Sequence, residues 1–366
     1  MDITSYTKEE LCLIWLDSFL GLEYRHKERL IAISGELDAT TILQKGKDYL
    51  LTNLDPNVYS TLKNSLNVDY IKMVLKGLER HGVKAVTIKS KDYPQKLKNI
   101  KIPPLVLYTK GNIQLLNDFD SFAIVGSRKS LPQSLAIAKD YASRLLECSF
   151  TLVTGIAQGV DQTVCQTAVD KGGKIISVIT GGIANVYPKS NTQLLEKVAK
   201  VGLVISEYPP EVSPMPYMFP IRNRLFAGLS KGVLIVSAGK KSGTLWTADY
   251  ALEYGKDVFA VPYSVGIASG EGCNSLIKQG AILTDTPKDI LDFYGIEQKT
   301  KSLDLSNEEQ AIVKMLGEGE KHVEQISVAL NKRAIEITPT LSIMEIKGLV
   351  VKNGNVYQLT STHLEG

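Results

Sequence analysis

Small, hydroxylated and cationic residues recur together in five short stretches, and the chemistry they share is anion recognition. The first ends an apolar run in Gly126, Ser127 and Arg128. Glycine lets backbone approach a ligand closely, serine offers a hydroxyl, and arginine presents a planar fork that matches a phosphate. The second runs from Val153 to Asp161 and sets Gly155 and Gly159 in one bare loop. That loop reads either as a floor for a phosphate or sugar, or as the small residues a helix needs to pack close to its strand. The third passes Gly181 and Gly182 to Tyr187, Pro188 and Lys189. A tyrosine there can stack on a base and a lysine can meet a phosphate, although a solvated loop lysine is the plain alternative. The fourth leads from Ser206 and Glu207 to Phe219, Pro220, Arg222, Asn223 and Arg224. Proline suits the first turn of a helix, and two guanidiniums with an amide near a helix N-terminus suit an anion. Residues two apart do not share a helical face, so one arginine is expected at the ligand while the other braces the fold, with Glu207 a ready ion-pair partner. The fifth, Lys240 to Thr244, sets Lys241, two hydroxyls and a glycine before a helix.

Each loop alone is ordinary. The elements around them make the set informative, because residues 83–295 alternate strand and helix. Apolar runs predict strands at Val83–Ile88, Leu105–Tyr108, Phe122–Val125, Thr151–Val153, Ile175–Ile179, Leu203–Ser206, Val233–Val236 and Val258–Val261. Helical periods fall at Ser134–Leu146, Val160–Lys171, Thr192–Lys200 and Leu245–Tyr254. Short, continuously apolar strands alternating with helices predict a buried, mostly parallel sheet. Right-handed crossovers then bring the five loops to the carboxyl edge of that sheet, where α/β proteins hold ligands. The pattern predicts a phosphate-bearing ligand and leaves open whether it is a mononucleotide or a polymer. The first loop is not G-x-G-x-x-G, so the dinucleotide fingerprint is missing.

Residues 1–80 read as several short helices, with Thr7 and Glu10 as a capping box and Leu11, Ile14, Trp15, Ser18 and Phe19 as an apolar stripe. Residues 296–305 read as a polar linker. Residues 303–360 read as three helices and a hairpin around Asn353-Gly354, the elements of a winged helix.

The 366 residues carry a net charge of +3, too small to prove a polyanion partner, but residues 121–290 hold 17 basic against 13 acidic groups and residues 303–360 hold 6 against 8. A polyanion site is therefore expected in the middle, and packing or protein contact in the C-terminal unit. No apolar run reaches the roughly 18 residues of a membrane span, and the polar first ten residues lack the apolar core of a secretion signal. The four cysteines and four histidines are scattered, which predicts free thiols in a reducing cytoplasm and no metal site.

Here the sequence resembles the DNA-processing protein A (DprA/Smf) family. The resemblance runs through residues 126–128, 154–161, 187–191, 206–210, 219–230, 242–244 and 258–262, and the run from Phe219 to Ser230 is long and specific. It implies an α/β protein with an N-terminal SAM-like helical domain (1–80), an extended Rossmann-like core with a mostly parallel sheet (81–295) and a C-terminal winged helix (303–360). It implies a non-enzymatic protein without cofactor that binds and protects incoming single-stranded DNA, dimerises through the Rossmann core and loads the RecA recombinase in natural transformation. The family's DNA pocket carries over onto Gly126, Ser127 and Arg128, and further onto Lys189, Arg222, Asn223, Arg224 and Lys241. Two departures bear on pocket shape: Val164-Cys165 stands where many members have Ala-His, and Pro262-Tyr263 where many have Pro-Gly.

Two other functions compete. The core also resembles nucleotide phosphoribohydrolases with a Gly-Gly-x-Gly-Thr-x-x-Glu motif, but Thr247 occupies the glutamate position and cannot act as a carboxylate base. A regulator reading duplex DNA through the winged helix is opposed by that unit's acidic balance.

Overall fold

The computed structural model describes residues 3–296 and 305–360; most of the expected linker, residues 297–304, lies outside them. The N-terminal helices are α1 (Lys8–Asp17), α2 (Tyr24–Ser34), α3 (Ala39–Asn53), α4 (Pro56–Asn64) and α5 (Val68–Arg80). The Thr7–Glu10 capping box is present at the start of α1. The apolar stripe expected on α1 is not a single face, because every residue from Cys12 to Asp17 is buried. Leu13 and Ile14 join the core beneath the sheet, while Cys12, Trp15 and Leu16 join a second core among the helices. Helix α1 is thus sandwiched, and a helix buried all round has no amphipathic period to read.

The main sheet contains β1 (Lys84–Thr87), β2 (Val106–Gly111), β3 (Ser121–Gly126), β4 (Thr151–Thr154), β5 (Ile175–Val178), β6 (Leu203–Ser206), β7 (Gly232–Ser237), β8 (Asp257–Ala260) and β9 (Ile282–Leu283). Their order is β1-β2-β6-β5-β4-β3-β7-β8-β9. Strands β3 to β9 pair in parallel, and β1 and β2 add antiparallel at one edge. The connecting helices are α6 (Gln95–Lys98), α7 (Pro132–Glu147), α8 (Val160–Lys171), α9 (Thr192–Val201), α10 (Met218–Leu229), α11 (Leu245–Glu253), α12 (Glu271–Lys278) and α13 (Pro287–Phe293).

Strand side chains alternate between the two faces. Phe122, Ile124, Leu234 and Val236 pack with α7, α8, α9 and α13. Ala123, Val125, Val233 and Ile235 pack with α6, α10, α11 and α12. Both faces are covered, which is why the strands read as unbroken apolar runs. The chain builds β4, β5 and β6 to one side of β3, then crosses to β7, β8 and β9 on the other. This reversal opens a crevice beyond the carboxyl end of β3.

The sequence boundary near residue 80 falls inside one compact unit that runs through residue 296. Asp17, on α1, shows one reason: its carboxylate accepts from Lys27 of α2 at 2.8 Å and from the hydroxyl of Tyr108, on β2, at 3.0 Å. The second unit holds α14 (Asn307–Gly317), β10 (Lys321–His322), α15 (Val323–Ala329), α16 (Ala334–Ile346), β11 (Val350–Asn353) and β12 (Val356–Leu359). Strands β11 and β12 form the hairpin expected at Asn353-Gly354, with β10 added to β12 as a two-residue strand not foreseen from sequence.

Candidate functional site

Beyond the carboxyl ends of β3 and β7 lies a cleft of about 400 Å³ whose walls include Gly126, Ser127, Arg128, Asp161, Arg222 and Asn223. Its first wall is the turn after β3. The Ser127 backbone N–H donates to the Ser237 carbonyl at 2.9 Å, and the Ser130 hydroxyl donates to the Ser127 carbonyl at 2.7 Å. This turn is pressed against the start of α8. A side chain at Gly126 would strike Val160, and one at Gly159 would strike the carbonyl oxygens of Ser127 and Arg128. Gly159 also has φ +85°, a conformation that favours glycine.

The second wall is the first half of α10. Arg222 is 6% exposed; its Nη1 donates to the Val178 carbonyl at 2.6 Å and its guanidinium lies 4.3 Å from the centre of the Phe226 ring. Its Nε–H is buried and unpartnered. Asp161, 5% exposed, is the nearby countercharge. Burial pushes the Asp161 carboxyl up to about 6, with Arg222 and Arg128 opposing only in part. Burial draws the Arg222 guanidinium down to about 10, with Asp161 opposing. Gly155 makes this pair possible, since a Cβ there would collide with the Asp161 carboxylate and with Arg222 Nη1. Asn223 binds α10 to the third wall: its amide donates to the Gly243 carbonyl at 3.0 Å, in the loop before α11. Thr247 also lines the cleft, and its hydroxyl is buried without a partner.

Arg128 is exposed and stacks on Phe219, with 4.5 Å from guanidinium carbon to ring centre. Phe219 in turn meets Tyr187 edge-on at 5.9 Å. Arg128, Tyr187, Phe219, Pro214, Pro216 and Pro220 line an adjoining hollow of about 450 Å³. The arrangement therefore places a free guanidinium and a buried one beside an aromatic surface, which suits a phosphate joined to a planar group.

The structure brings Gly126, Ser127, Arg128, Arg222 and Asn223 to one cleft. Gly155 and Gly159 stand behind it and act by leaving space. Lys189 is exposed at the start of a single 3-10 turn, two residues from Tyr187, and Lys241 is exposed next to Ser242; neither side chain lines the cleft. Arg224 departs from the anion-binding expectation. It is 4% exposed, both terminal nitrogens donate to the Glu207 carboxylate, and it lines a separate cavity of about 800 Å³ with Tyr24, Tyr208 and Tyr250. Two positions on a helix point about 200° apart, which gives the neighbouring arginines their separate partners. Sequence reading assigned no role to Asp161 or Phe219. Asp161 lay within the second loop, but nothing in sequence marks a carboxylate as buried beside an arginine sixty-one residues away. The departures at Cys165 and Tyr263 do not reach the cleft: Cys165 is buried with its thiol on the Gly155 carbonyl at 3.2 Å, and the Tyr263 hydroxyl donates to the Val236 carbonyl at 2.8 Å. Among the described residues no group of three or more His, Cys, Asp or Glu is placed to hold a metal, and no helix is long and apolar enough to cross a membrane.

A mostly parallel, doubly covered sheet with a cationic cleft at its switch point defines a protein of the Rossmann-like α/β class. Within that class the chain belongs to the DNA recombination-mediator protein A family, whose family model matches residues 84–295. It is 37% identical over 235 residues to the DNA processing protein DprA of Bacillus subtilis, covering 64% of this chain and 79% of the relative. The crystal structure of Streptococcus pneumoniae DNA processing protein A is similar at a TM-score of 0.67 and 30% identity, covering 78% of this chain and 98% of that one. A Helicobacter pylori DNA processing protein A structure, whose single-stranded DNA binding mode has been described, is similar at a TM-score of 0.53 and 29% identity, covering 58% and 95%.

Proposed function

We propose that this chain is a recombination mediator that binds single-stranded DNA in the Arg128–Arg222 cleft, without enzymatic action. The observation that carries the reading is one cleft joining two guanidiniums, a glycine-serine turn and an aromatic surface. Phosphate meets the first two, and every base has a face for the third, so binding is largely independent of sequence. Lys189 and Lys241, exposed near the rims, neutralise further phosphates. Arg224 is assigned to the fold, not to the strand. The H. pylori relative, a single-stranded DNA binder, supports this choice of polymer.

From the family membership we extend the proposal to its finer parts. The bound strand is protected and handed to the RecA recombinase, the protein acts in the cytoplasm, and two copies associate through the Rossmann-like core. The C-terminal unit is a winged-helix module that makes protein contacts, in keeping with 8 acidic against 6 basic residues over 303–360.

Hydrolysis of nucleotides is the poorer reading. Thr247 stands where such enzymes carry their glutamate, and the acidic residue that does line the cleft, Asp161, faces two arginines. The test is an Arg128→Glu chain, checked for unchanged melting. Its affinity for a labelled single-stranded oligonucleotide falls steeply, and the slope of log affinity against log salt shallows by about 0.7 for each phosphate no longer neutralised. Unchanged binding by the folded variant, or release of free base from nucleoside monophosphates by the pure protein, overturns the assignment.

A further inference from the structure

We infer that Trp246 is a base-stacking residue that carries the DNA site beyond the cleft and over the start of α11. The inference rests on the single-strand reading above. The chain has two tryptophans. Trp15 is 4% exposed and its indole N–H donates to Ser65 at 2.8 Å, as a core tryptophan should. Trp246 is 53% exposed, and among the described residues no ring stacks on it and no side chain bonds it. An indole combines a broad apolar face with one polar N–H, and a nucleic-acid base offers a flat face on which such a ring stacks.

Its position selects the partner. Trp246 is the second residue of α11, and Ser242, Gly243, Thr244 and Thr247 around it in sequence line the cleft. Lys240 and Lys241, immediately upstream, are exposed. An exposed indole and two exposed lysines, next in sequence to residues that line the cleft, match a nucleotide: phosphate to lysine, base to indole. The platform is held still. Asn223 fixes the Gly243 carbonyl at 3.0 Å, the Ser242 hydroxyl accepts from the Thr244 N–H at 3.2 Å, and Thr247, Ala248 and Ala251 bury the inner face of α11. A stack on Trp246 therefore orders little that is not ordered already. The partner is an unpaired base, because a paired base in a duplex has both faces occupied by its neighbours.

The experiment uses the full chain and oligothymidylate, followed by labelled-strand anisotropy and by tryptophan emission in the same titration. The expected result is quenching that saturates with the anisotropy signal. In Trp246→Leu the quenching disappears and affinity falls about tenfold, the lower part of the range for removal of one stack. Trp246→Phe recovers most of that affinity, and an abasic strand binds the wild-type and Trp246→Leu chains alike. Normal anisotropy binding with unchanged emission, and no loss in Trp246→Leu, overturns the role of Trp246 and leaves the cleft reading standing. Absence of binding to any single strand overturns both. Emission that changes with protein concentration in the absence of DNA assigns the indole to a second copy of the chain, and that too overturns it.

Discussion

Asp161 sets the electrostatic balance of the cleft. With its carboxyl at about 6 instead of the usual 3.8, it changes charge in a range where ordinary aspartates do not. The groups facing it are Arg222 and Arg128, with the Cys165 thiol, held well above its usual range by burial and by Asp161 itself. Between about pH 4 and 6 the native state holds more protons than the unfolded chain at this position. Ionising Asp161 therefore costs stability as pH rises through that window, and the cost is fully present above it. For the ligand the sign is the same: below pH 6 a negative charge leaves the cleft. Single-strand affinity should rise between pH 7 and 5, and Asp161→Asn should flatten that rise in a binding titration across pH. A profile in the variant as steep as in the wild type assigns the effect elsewhere. Gly155→Ala tests the space behind the pair. The new methyl overlaps both Asp161 and Arg222, so chemical denaturation should show a loss of about 1–3 kcal/mol, with weaker DNA binding by the folded fraction.

At the scale of elements, α10 has two tasks, and the two arginines divide them. Arg222 faces the cleft; Arg224 clamps Glu207, just past the end of β6, and so fixes the helix to the sheet. A buried charge whose partner is removed is expensive, so Glu207→Ala should destabilise the protein by about 3–5 kcal/mol while the folded fraction keeps its affinity for DNA. A melting curve and a titration on the same sample separate these outcomes, and weakened binding at full stability places the pair in the DNA site. Sequence reading expected one arginine at the ligand and one bracing the fold; that Arg224 is the one paired with Glu207 depended on the rotation of α10 against β6, which no local pattern records. The opposite holds for Val160–Lys171 and Leu203–Ser206, read from sequence with the bounds the structure shows. Local signals bound both: Gly159 and Gly172 flank the helix, and Leu203, Val204 and Ile205 make a continuous apolar run. Helix α1 gave a misleading stripe because burial on both sides erases the period, and β9, with two residues, is too short to have one.

For the whole molecule, the mostly parallel sheet was legible from alternating strands and helices, but its strand order and the antiparallel edge of β1 and β2 were not read from sequence. The merging of the N-terminal helices with the sheet was not, because it rests on contacts such as Tyr108 to Asp17 that lie 91 residues apart. The acidic balance of the second unit implies that a chain ending at residue 298 keeps its single-strand affinity, and a fall on that deletion gives the unit a direct part in DNA binding. The central claim is that the cleft recognises an unpaired polynucleotide through its phosphates. It is tested most directly by titrating the full chain into one labelled oligonucleotide, single-stranded and then annealed to its complement, at about 50 mM and about 200 mM salt. The account predicts tighter binding of the single strand at both concentrations and a clear loss with added salt. Duplex bound as tightly as single strand, or affinity indifferent to salt, contradicts it.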